Sequence, residues 1–155
     1  MTPASRLRLI LLFAGASILG CDHGFQPPDA PRTGTIRVAV TYVGEWPDQA
    51  DVHDLRFVAM RFVPRDTADF LQLNRMAISG RLSYGLAAEI VEVPDVETGA
   101  FVYSGIAQQF RSDLLAWKPL GLFTDDNGIF QVEEQDTTDI SLVVDFDDPP
   151  VFPPL

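Results

Sequence analysis

The chain has 155 residues, with 22 acidic against 11 basic side chains and a formal charge of −11 at pH 7. A hydrophobic share of 46% supports a buried core and is too high for a disordered chain, while the acidic surplus argues against a nucleic-acid reader, which needs a basic patch. Cys21 is the only cysteine, which excludes an internal disulfide and a cysteine-based metal cluster; no cofactor is expected.

Met1 to Arg8 carries Arg6 and Arg8 as its only charges, and Leu9 to Gly20, LILLFAGASILG, is an apolar run without a charge. About a dozen apolar residues fall short of the roughly 20 a membrane-spanning helix needs. A basic start before a short apolar run is the layout of a signal peptide. The run ends in Ile18-Leu19-Gly20-Cys21, which resembles the lipobox of bacterial lipoproteins: an aliphatic residue, then a small residue, then the cysteine. Leu19 is bulkier than that pattern prefers. The resemblance implies cleavage after Gly20 and lipidation of the Cys21 sulfur, and thus a location in the cell envelope, on the extracytoplasmic side of an inner or outer membrane. Asp22 directly after the cysteine resembles an inner-membrane retention signal that does not hold in all bacteria, so the choice of membrane stays open. Loss of Arg6 and Arg8 would move the charge from −11 to −13. Anionic headgroups should repel such a chain, which leaves attachment to the lipid.

The sequence therefore divides into a signal peptide (1–20), a lipidated cysteine and Pro/Gly-containing tether (21–33), a folded domain (34–147) and a Pro-rich tail (148–155) that cannot continue a sheet. In the domain, Ile36, Val38, Val40 and Tyr42 alternate with Thr35, Arg37 and Thr41, the period of a half-buried strand. Leu55 to Val63 is apolar on both faces apart from Arg56 and Arg61, as a central strand is. Asp66 to Asn74 predicts a short helix capped by Asp66, with Phe70 and Leu73 packing on the domain. Arg81 to Val93 alternates through Leu82, Tyr84, Leu86, Ala88 and Ile90, then slips to Val91 and Val93, predicting a bulge. Ala100–Ala107 and Leu114–Phe123 read as two more strands, with Pro119 marking an edge or bend. Asp125-Asp126-Asn127-Gly128 is a turn signal before a sixth strand at Gly128–Glu133. Ile140, Leu142, Val144 and Phe146 form the inward face of the last.

About seven short strands separated by turns predict a single all-β antiparallel sandwich, transthyretin-like or Ig-like, with a helical insertion near 66–74. Gly34-Thr35-Ile36-Arg37-Val38, Gly44-Glu45-Trp46-Pro47, Ala116-Trp117-Lys118-Pro119-Leu120-Gly121 and the closing Ile140 to Phe146 resemble the transthyretin-like, carboxypeptidase-regulatory-like modules of bacterial surface proteins, over roughly residues 34–147. That resemblance implies a non-catalytic module and carries no functional residues.

No catalytic constellation is legible. A hydrolytic triad needs a base, most often histidine; His23 lies in the tether and His53 at a strand entrance, and no serine sits in a nucleophile elbow. Trp46 is a candidate ligand contact as an exposed platform for a sugar ring, or else a lid folded back over the sandwich end. Asp125, Asn127 and Glu134 echo calcium-loop spacing, but Phe123 falls on the first ligand position, so a plain hairpin turn and no metal is expected. The expected function is a membrane-anchored binding or scaffolding module for an envelope protein or glycan, with no nucleic-acid partner. The alternative is a periplasmic accessory protein that binds a small ligand or a divalent cation.

Overall fold

The computed structural model describes residues 30–153. The lipobox residues Ile18, Leu19, Gly20 and Cys21, together with His23, lie outside the described residues. The chain forms nine strands in chain order: β1 (Thr33–Val43), β2 (Asp54–Met60), β3 (Met76–Ile78), β4 (Ala88–Glu97), β5 (Gly99–Phe101), β6 (Tyr103–Gln109), β7 (Trp117–Leu122), β8 (Phe130–Val132) and β9 (Thr137–Asp145). A three-stranded sheet, β4-β1-β9, packs on a four-stranded one, β3-β2-β6-β7, and β5 and β8 form a small third pair. The architecture is the expected β-sandwich.

The alternation in β1 has its physical cause here. Ile36, Val38, Val40 and Tyr42 are buried in the inter-sheet core, and the residues between them face outward. β9 does the same with Ile140, Leu142 and Val144. Among the described strand pairs, β1–β9 alone runs parallel, a departure from an all-antiparallel pattern. Parallel neighbours need a long crossover, and here the whole intervening domain serves as one.

Other details differ from the alternation in the sequence. The stretch 81–87 is loop, and the strand starts at Ala88. The irregularity in the β1–β4 ladder falls where Gly34↔Val96 is followed by Ile36↔Val93; the extra β4 residue sits at Pro94–Asp95, where Asp95 has φ 57°. A second register shift lies opposite Ile106 and Ala107, where β7 supplies Gly121 and then Pro119 as partners. Pro119 thus belongs to a bulge beside β6. The run from Ala100 to Ala107 is two strands. β5 pairs with β8, and the chain then steps to β6 in the four-stranded sheet. β7 and β9 meet closely where the sandwich closes: a Cβ on Gly121 would collide with the Val143 carbonyl, and one on Gly105 with that of Gly121.

The predicted insertion is present as two 3-10 turns, Thr67–Leu71 and Leu73–Arg75. Asp66 caps the first by accepting from the Ala68 N–H at 2.8 Å. So short a segment offers too few successive bonds to offset α-helix nucleation. Its Phe70 is buried, whereas Leu73 is exposed. Phe70 explains why β2 is apolar on both faces. Leu55, Phe57 and Ala59 enter the inter-sheet core, while Val58 and Met60 join a second cluster on the outer face with Phe70, Tyr103 and Ala107. Phe152 from the Pro-rich tail packs against Phe70, ring centroids 5.5 Å apart. Insertion and tail form a partial third layer over the four-stranded sheet.

Candidate functional site

Three regions hold the residues that bear on function. The first is the sandwich end around Trp46. Its indole is half-buried, with ring centroids 4.6 Å from Tyr42, 4.6 Å from Phe146 and 5.0 Å from Tyr84. The indole Nε1–H donates to the Leu86 carbonyl at 3.1 Å, and the Tyr84 hydroxyl returns a bond to the Pro47 carbonyl at 2.8 Å. These two bonds tie the loop after β1 to the loop before β4. The Tyr42 hydroxyl donates to Glu89 Oε1 at 2.7 Å. Burial first, and then this bond to a carboxylate, raise the Tyr42 pKa above its ordinary value. Trp46 is thus folded back as part of the aromatic closure of this end.

The second region is the turn between β7 and β8. Asp125–Gly128 is a 3-10 turn with Asp126, Asn127 and Gly128 in left-handed conformation, φ 49°, 59° and 76°. These residue types tolerate that region best. The turn is not a hairpin, because β8 pairs with β5 and not with β7; it carries the chain around a corner of the sandwich. Glu134 faces Arg32 at 3.7 Å, both exposed. Among the described residues, no group of three or more His, Cys, Asp or Glu side chains is arranged to hold a metal ion. His53 precedes β2, where its carbonyl accepts from Arg81.

The third region was not foreseen from the sequence. The third layer covers only part of the outer face of β3-β2-β6-β7. The remainder is a groove of about 390 Å³, floored by Val58, Met76, Ile78 and Trp117 and walled by Phe70. Leu71, Leu73 and Leu114 stand on its rim, with Leu73 63% and Leu114 72% exposed. At one end the Asp54 carboxylate holds Arg56 at 2.8 Å and Arg81 at 3.6 Å. The volume and mostly apolar lining are those of a binding cleft, and exposed apolar patches of this kind mark interaction sites. The groove joins three segments distant in sequence. Its only local signal was the two-sided apolarity of Leu55 to Val63.

Compared with family models, curated proteins and solved structures, the chain matches none.

Proposed function

We propose that the protein is an extracytoplasmic lipoprotein: Cys21 is acylated after cleavage behind Gly20, the residues between Cys21 and β1 tether the domain, and the sandwich is a non-catalytic binding or scaffolding module for an envelope protein or glycan. The observation that carries this reading is the placement of the only cysteine, which ends a basic-then-apolar segment in Ile18-Leu19-Gly20-Cys21. The likeness of residues 34–147 to transthyretin-like, carboxypeptidase-regulatory-like modules supports the non-catalytic half. The open groove supports a docking role over enclosure of a small ligand, since its lining is mostly apolar and its charged groups, Asp54 and Arg56, are gathered at one end and paired with each other. A single acyl chain holds a protein to a bilayer only marginally, and two or more anchor it stably.

Cys21→Ser is expected to abolish acyl labelling and lipid-mediated retention in the membrane fraction. A wild-type chain whose mass shows no acyl group at Cys21 would overturn the reading.

A further inference from the structure

Charge is divided unequally between the two sides of the sandwich. Residues 54–81 and 102–122, which build the four-stranded sheet, the insertion and the β6–β7 loop, hold seven basic and four acidic side chains. The other described residues hold two basic and sixteen acidic. The groove with the exposed leucine rim opens on the basic side. Arg65 and Arg75 line a second concavity together with Asp69, and Arg75 and Leu73 also line a recess that reaches Asp95 and Glu97 at the edge of β4. Among the described residues, neither guanidinium lies within ion-pair distance of a carboxylate; Arg75 stacks on the Phe62 ring at 4.2 Å.

We propose that this face rests on an anionic phospholipid bilayer. Leu71, Leu73 and Leu114 enter the boundary between headgroups and acyl chains, Arg65 and Arg75 meet the phosphates, and the acidic β4-β1-β9 side faces away. Leucines flanked by basic residues bind such interfaces through buried apolar area together with attraction to anionic lipid. The negative surface potential draws in the basic side and repels the acidic one, so it orients the domain although the net charge is negative. The net charge alone predicted repulsion; its segregation exempts one face. The lipid anchor of the preceding reading strengthens this contact by holding the domain at high effective concentration beside the membrane, but the face does not require the anchor in order to bind.

The test uses the full-length protein in phosphatidylcholine vesicles with or without phosphatidylglycerol, with a fluorophore attached through Leu114→Cys on the groove rim or through Val143→Cys on the outer face of β4-β1-β9. Val143 is 55% exposed, so both substitutions spare the core. Brominated lipids are expected to quench the Leu114 label in phosphatidylglycerol vesicles and to leave the Val143 label bright. Quenching should be lost with Arg65→Glu plus Arg75→Glu, and in high salt. Equal quenching at both positions, or quenching indifferent to headgroup charge, would overturn the proposal. So would a Leu114 label that stays bright in every vesicle, the result expected if an acidic, apolar segment of a partner protein occupies the groove. Acylation of Cys21 is read separately from the mass of the chain. Protein lacking it carries Cys21→Ser, so that only the introduced thiol is labelled, and is added to the same vesicles; failure of the anchor and failure of the docking face are thereby told apart.

Discussion

Tyr103 and Ser104 are neighbours on β6 that face opposite clusters, and among the described residues neither buried hydroxyl has a hydrogen-bond partner. An unpartnered buried donor carries its full desolvation cost, while an apolar replacement of the same shape removes it. Tyr103→Phe keeps the ring among Val58, Met60 and Phe70 and is expected to leave stability unchanged or raise it by up to about 1 kcal/mol. Burial pushes the Tyr103 pKa up to about 12 from 10. The unfolded chain therefore releases this proton first, so the group's contribution is constant below pH 10 and is lost as pH rises toward about 12. Urea melts across that window should fall less steeply for Tyr103→Phe than for the wild type. A steeper fall in the variant would contradict the assignment. Tyr42, shifted in the same direction, leaves a residual slope. None of this was legible in the sequence, because Ala100–Ala107 reads as one continuous strand. The step between sheets at Val102, whose N–H bonds to the Met60 carbonyl, decides which side chains face which cluster. For Trp46 the sequence offered both placements, and the Leu86 carbonyl that fixes one of them is 40 residues away.

Strands with one wet face were the readable elements. β9 buries Ile140, Leu142 and Val144 and exposes Ser141 and Val143, as parity required, since burying the face with Asp139 and Asp145 would strand charges out of water. Leu142→Asp is expected to unfold the domain. Truncating a buried leucine alone costs about 2–5 kcal/mol out of the roughly 5–15 kcal/mol a domain possesses, and the carboxylate adds desolvation. Ser141→Asp should melt close to the wild type; equal melting temperatures for the two variants would mean that the register is wrong. Alternation failed in residues 81–87, where Leu82, Tyr84 and Leu86 mimic a strand. Their bonds are spent singly on other segments: the Leu82 N–H on the Leu55 carbonyl, the Tyr84 hydroxyl on Pro47, the Leu86 carbonyl on Trp46. β3 has three residues, too few to display a period. Leu55 to Val63 was legible as two-sided, but its outer cover came from the insertion and the tail, and no local pattern in those segments names the strand they cover.

At the scale of the molecule, a charge of −11 is a sum over two unlike sides, and only the topology assigns each segment to its side. The same topology places the first strand at the centre of its sheet, with β4 on one flank and β9 on the other. A load arriving along the N-terminal chain pulls β1 along its own axis. The bonds to both neighbours lie across that axis, from Thr33↔Glu97 to Thr41↔Ala88 on one flank and from Thr35↔Thr137 to Val43↔Asp145 on the other. They take the strain together, in shear. β3, by contrast, is held to β2 at Val58↔Ile78, Ala59↔Ala77 and Met60↔Met76 and can be peeled from the edge one bond at a time. Single-molecule extension between the N-terminus and β6 should therefore rupture at higher force than extension that peels β3. Equal forces would mean that β1 is not gripped from both sides. A domain built this way can be tugged by its leading end, as one tethered to a moving surface is, without surrendering the strand on which the rest is assembled.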